Sequence, residues 1–148
     1  MTLDARTDTL LVGNHGTGDV SALPIGADGS LGSVASLARD YGTGATARQR
    51  NPSAHGVVVD AAHGYVLAAD FGADRIFVYR LRGATGKLTA AEHPFEQLPP
   101  GAGPRHLAFS PDDRYLFADT ELLRPKIASD LATQGLPIRH PAARPRVL

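Results

Sequence analysis

Residues 99–121 read PPGAGPRHLAFSPDDRYLFADTE, and the fold of the whole chain can be argued outward from them. A turn-rich Pro/Gly segment leads into Arg105 and His106. A short apolar run, His106–Ser110, then meets the turn signal Pro111-Asp-Asp-Arg114. A second run, Tyr115–Thr120, follows and ends at Glu121. Short apolar or aromatic runs bounded by Pro, Gly and Asp predict strand, turn, strand.

The same grammar runs upstream. Arg75–Leu81 (RIFVYRL) is the clearest strand, with Ile76, Val78 and Arg80 on one face and Phe77, Tyr79 and Leu81 on the other. His55–Asp60, Tyr65–Asp70, Thr9–Asn14 and Asp19–Ile25 read as further strands. Ala27-Asp-Gly-Ser30 and Gly83-Ala-Thr-Gly86 signal hairpins, with Leu31–Leu37 and Lys87–Ala91 as the expected return strands. Residues 40–54 read as a long polar loop, and 92–104 as a second long loop, rich in Pro and Gly. Loops of that length without internal structure are often functional.

The pattern repeats. LLVGNHG at 10–16 aligns with VLAADFG at 66–72, Gly29-Ser-Leu31 with Gly86-Lys-Leu88, and YVLAAD at 65–70 with YLFADT at 115–120. Recurrence of short strands every 40 to 57 residues or so is the signature of propeller blades. No stretch before residue 121 carries a helical period. The expected fold is all-β: a partial β-propeller of about two to three blades, each a four-stranded antiparallel sheet. An ordinary β-sandwich is the alternative. The blade segment occupies 1–121; residues 122–148 form a Pro/Arg-rich tail that matches no blade, with a short helix at 127–133 or disorder expected there. A gene truncated at its start and shifted in frame near residue 122 would give this pattern.

Composition narrows the function classes. The 148 residues balance to zero net charge, but 1–121 carry 10 basic against 14 acidic residues and 122–148 carry 5 against 1. The blade segment has no basic stripe with interleaved aromatics, so nucleic acid is not an expected partner. No apolar run reaches bilayer length and the first ten residues are polar, so neither a membrane span nor a signal peptide is expected. With no cysteine there is no disulfide framework, and a cytoplasmic location is the expectation. The six histidines never pair at zinc-site spacing, so no metal is expected. Asp70-Phe-Gly72 lacks the other kinase motifs, Gly42-Thr-Gly44 is no phosphate loop, and no Gly-x-Ser-x-Gly elbow exists.

Residues 54–81 and 99–121 together resemble the lactonase, or 6-phosphogluconolactonase-like, family of seven-bladed propellers. The resemblance rests on His55 at a strand start, Asp70-Phe-Gly-Ala-Asp-Arg75, Gly101-Ala-Gly-Pro-Arg-His106 and Glu121 at a strand end, and covers roughly residues 8–121. It departs from the family at Thr120, where Asn is usual, at His15, where Tyr is frequent, and after Glu121. What the resemblance implies is hydrolysis of a sugar-acid lactone without a redox cofactor, with His55, Arg105 and Glu121 as the site. A small-molecule lactone would be the partner, and open sheet edges would favour self-association.

Lactone opening needs an activated water and a donor for the developing oxyanion. His55 is the expected general base, since imidazole titrates near neutrality. Glu121 would orient that base or share the proton work. Arg105 offers a forked, permanent cation for a phosphate, a carboxylate or the oxyanion. Each has a structural alternative: a carbonyl partner for His55, Asp70 or Asp74 for Arg105, solvent for Glu121. Adjacent strand residues face opposite ways, so His106 is expected to be structural. Asp70 and Asp74 are expected to form turns. A non-catalytic binding propeller and an inactive gene remnant are the competing classes.

Overall fold

A computed structural model describes residues 1–123, except 61, 63, 113 and 114 and the side chain of residue 84, together with the backbone of residues 138–139. The helix or disorder expected in the tail lies otherwise outside the described residues.

Three antiparallel sheets are stacked in chain order. The first runs β1 (Thr2–Asp4), β2 (Thr9–Asn14), β3 (Asp19–Pro24) and β4 (Ser36–Arg39). The second runs β5 (Ala54–Asp60), β6 (Tyr65–Asp70), β7 (Arg75–Arg82) and β8 (Lys87–Gln97). The third pairs β9 (Pro104–Phe109) with β10 (Tyr115–Thr120), and a two-residue strand, β11 (Ile138–Arg139), lies along β10. Each sheet is an up-and-down meander whose neighbours in space are neighbours in sequence. Short Gly- and Asp-rich turns favour that connection over any crossover.

The sequence repeats fall on equivalent elements. The aligned runs at 10–16, 66–72 and 115–120 begin on or comprise the second strands, β2, β6 and β10. The first strands β1, β5 and β9 lie side by side, so successive sheets stack with their inner edges together.

Two cores form between the three sheets. Alternation along β7 feeds both. Phe77, Tyr79 and Leu81 join Leu11, Val20, Ala22, Val57 and Val66 against the first sheet. Ile76 and Val78 join Leu67, Ala69, Leu107, Leu116 and Ala118 against the third. The faces assigned to this strand from sequence are those observed. At about 25 cal/mol per Å² of apolar surface, fully burying residues such as Phe77 and Ile76 contributes roughly 1.5–3 kcal/mol each.

Two expectations are corrected. The return strand after Gly86 is not limited to Lys87–Ala91; it continues to Gln97, so the expected loop at 92–104 shrinks to the segment before Pro104. Pro94 suggested a loop, but β8 is an outer strand, where a missing N–H removes no ladder bond. The pairing jumps from Tyr79 opposite Ala90 to Phe77 opposite Phe95, so the extra residues are accommodated in a bulge. In the first sheet the return strand begins only at Ser36, and Leu31 makes a single bridge to Ile25. β1, unread in the sequence, completes that sheet.

Candidate functional site

The site forms where the first strands of the second and third sheets begin. Both starts are bulged. In β5, Ala54 pairs with Asp70 and Gly56 with Ala69, leaving His55 as the additional residue. In β9 and β10, Pro104 pairs with Thr120 and Leu107 with Ala118, so Arg105 and His106 together oppose Asp119. A bulge breaks the two-residue alternation and re-aims side chains. That is why Arg105 and His106, expected on opposite faces, both reach His55.

Arg105 is the hub. Its Nε donates to His55 Nε2 at 2.8 Å, and its Nη1 lies 3.2 Å from Glu121 Oε2. The other oxygen of Glu121 accepts from Arg48 Nη2 at 2.6 Å. The three residues expected from sequence therefore meet, but in the order His55–Arg105–Glu121. Glu121 touches the arginines rather than the histidine. Hydrogen bonding from Arg48, supported by the charges of Arg48, Arg105 and His55, holds the Glu121 carboxyl below its ordinary range. A carboxylate so held stays ionised and orients cations; it is poorly suited to carry protons.

The rings gather around His55. His15 lies edge-on at 5.7 Å between centroids and His106 edge-on at 5.1 Å. Burial lowers the pKa of His55, and the neighbouring charges of Arg105, His106 and His15 push the same way against the weaker pull of Asp119. His55 is therefore neutral near pH 7, with its Nε2 lone pair directed at Arg105. On the far side of His55, His106 Nδ1 sits 3.0 Å from Asp119 Oδ2, and its amide donates to Asp119 Oδ1 at 2.5 Å.

Buried acids fix the loops that deliver these groups. Asp74 sits in the left-handed region at φ 54 and is 2% exposed. Its carboxylate accepts from Gly101 N at 2.7 Å, Gly103 N at 2.8 Å and the Gln49 side-chain amide. One side chain thus ties the loop carrying Arg48 to the loop preceding Arg105. Asp70 accepts from Ser53 N at 2.9 Å and Ala73 N at 2.8 Å. Both acids are turn formers, as expected, and neither pairs with Arg105. Phe71 supplies the floor: Arg48 lies over its ring at 5.2 Å, and any Cβ on Gly103 would stand 2.9 Å from it. Gly56 is required by backbone proximity, because a Cβ there would stand 2.4 Å from the Arg105 carbonyl.

Arg48 and His106 were not expected at the site. Arg48 had only its place in the long loop 40–54 to signal it, and the reading of His106 assumed unbroken alternation. Among the described residues no group of three or more His, Asp or Glu side chains is arranged to hold a metal ion.

Stacked antiparallel meanders, two of them four-stranded, with charged groups at their inner strand starts define a segment of a β-propeller. The chain belongs to the lactonase family of seven-bladed β-propellers, whose description, "Lactonase, 7-bladed beta-propeller", matches residues 1–132. It is 38% identical over 129 residues to the 6-phosphogluconolactonase of Bacillus subtilis, covering 86% of this chain and 36% of that protein. The structure of the periplasmic gluconolactonase of Pseudomonas aeruginosa superposes with a TM-score of 0.72 at 37% identity, over 80% of this chain and 34% of that one. A Lactobacillus plantarum protein superposes with a TM-score of 0.73 at 28% identity, over 81% of this chain and 34% of that one. The chain spans about a third of the length of the relatives it matches.

Proposed function

We propose that this site opens a sugar-acid lactone of the 6-phosphogluconolactone type by hydrolysis. The observation that carries the reading is Arg105, a guanidinium braced on one side by a neutral imidazole and on the other by an ionised carboxylate. A braced guanidinium is a preorganised donor for charge that appears on a carbonyl oxygen as water attacks. With Arg48 beside it, the pair also suits an anionic substituent of the substrate. The names of the Bacillus and Pseudomonas relatives agree with a lactone substrate.

His55 and Glu121 act on Arg105 in this reading. Glu121 anchors Nη1. His55 accepts from Nε, and its neutrality keeps a second positive charge away from the guanidinium. Water activation falls to an imidazole of the His55/His106 pair.

Arg105→Lys tests the reading, because lysine keeps the charge and loses the fork. Background-corrected pH-stat hydrolysis of gluconolactone and its 6-phosphate should fall roughly 100-fold, the scale of losing one oxyanion donor. Unchanged hydrolysis in Arg105→Lys, or no hydrolysis by the unmodified chain, would remove the basis of the proposal.

A further inference from the structure

The two site histidines are not equivalent as proton acceptors. The Nε2 of His55 already accepts the Nε–H of Arg105, so its lone pair is engaged. His106 presents the opposite arrangement. Its Nδ1 faces Asp119 Oδ2 at 3.0 Å, and its amide donates to the other oxygen of the same carboxylate. The partial desolvation of Asp119, whose side chain is 60% exposed, would alone raise its pKa, and is outweighed by these amide and ring hydrogen bonds, so its carboxyl lies below the ordinary range. An ionised carboxylate only accepts. Nδ1 therefore carries a proton whatever the charge of the ring, and Nε2 is the nitrogen that gains and loses one. Among the described residues nothing hydrogen-bonds that Nε2, and the His106 side chain is 64% exposed. It is an Asp–His pair whose imidazole has its tautomer fixed and its working nitrogen free, 5.1 Å from the ring that braces Arg105.

We propose that His106, oriented by Asp119, is the general base of this site, and that His55 is a positioning residue for Arg105. The assignment rests on the lactone-opening reading above. A water oxygen forms a bond to the lactone carbonyl carbon while its proton passes to His106 Nε2. Arg105 meets the oxygen that takes up the negative charge. The ring C–O bond then breaks, and the proton moves from His106 to the departing alkoxide. The product is the open hydroxy acid, and no electrons leave or enter.

The test has two readouts on the 148-residue chain. The first is carbethoxylation by diethyl pyrocarbonate, which acylates unprotonated imidazole nitrogens, followed residue by residue with peptide mass spectrometry. His106 should react well ahead of His55, and Asp119→Asn should slow His106 severalfold while leaving His15 unchanged. Exposure alone would leave the His106 rate untouched by that substitution. The second is lactone hydrolysis. His106→Gln should lower kcat roughly 100-fold or more with little change in KM. Asp119→Asn should lower it roughly tenfold or more. Faster modification of His55 than of His106, or an Asp119→Asn chain that modifies as the unmodified one does, overturns the assignment. So does an active chain that keeps its kcat in His106→Gln. A chain that hydrolyses no lactone removes the proposed function, and the modification order then decides the Asp–His pair by itself.

Discussion

Asp40 shows how much a single side chain can set. It follows β4 and is 6% exposed; the Tyr79 hydroxyl donates to one of its oxygens, and the other has no hydrogen-bond partner among the described residues. Burial, together with the neighbouring Asp70 and Asp19, pushes its pKa from 3.8 up to about 8 despite the Tyr79 hydrogen bond. The same pairing, with burial first, raises the Tyr79 hydroxyl. The folded chain thus keeps a proton that the unfolded chain releases across this window. The contribution is fully favourable below about pH 4 and is lost as pH rises toward 8, at no more than about 1.4 kcal/mol per pH unit. Asp40→Asn keeps an acceptor for Tyr79 and removes the ionisation. It should flatten the decline in urea-unfolding free energy between pH 4 and 8 and raise stability at pH 8. An unaltered slope in the variant would place the titration elsewhere.

Among the elements, the loops rather than the strands hold the site's precision. Asp74 accepts from Gly101 N, Gly103 N and Gln49, so Asp74→Ala strips partners from three donors in and beside the site loops. Each buried group left unmatched costs about 1–3 kcal/mol. The expected result is a destabilisation of roughly 3 kcal/mol or more in chemical denaturation, with Arg48 and Arg105 both displaced; Asp74→Asn should recover part of it. The strands themselves were legible. Alternation in Arg75–Leu81 assigns Ile76 and Val78 to one face and Phe77, Tyr79 and Leu81 to the other, and the two sets are buried in different cores. Two features were not legible, for physical reasons. Pro94 reads as a breaker, yet an outer strand tolerates it. A bulge leaves no composition signal, so the reading of Arg105 and His106 followed an alternation that the fold suspends at Asp119. His55, Arg105 and Glu121 were singled out because their motifs resemble a family; that they meet, and the order in which they touch, required the geometry. Arg48 carried no motif at all.

At the level of the whole molecule, the two terminal sheets differ from the middle one. Among the described residues the second sheet is covered on both faces, whereas the first and third each show one. On the first, Leu3, Leu10 and Leu23 are in register across β1, β2 and β3, and Leu3 is 54% exposed. On the third, Phe117 is 45% exposed in β10. Both faces have the alternation of sheets that pack on a neighbour, and apolar faces of this kind drive association. Sedimentation velocity of the chain should show weight-average mass rising with concentration, and Leu3→Glu with Phe117→Lys should suppress that rise. A concentration-independent monomer would contradict this.

His55 and Arg105 occupy the same place in their respective sheets, the second residue of an inner strand. Their separation is therefore an inter-blade distance. It is governed by how far the second and third sheets are splayed about their shared edge, and so by the thickness of the layer built from Leu67, Ala69, Ile76, Leu107 and Leu116. The aperture in which a substrate would sit is tuned from behind. A methyl group added or lost in that apolar layer resets the spacing of the polar groups in front of it, with no change to any residue a ligand would touch.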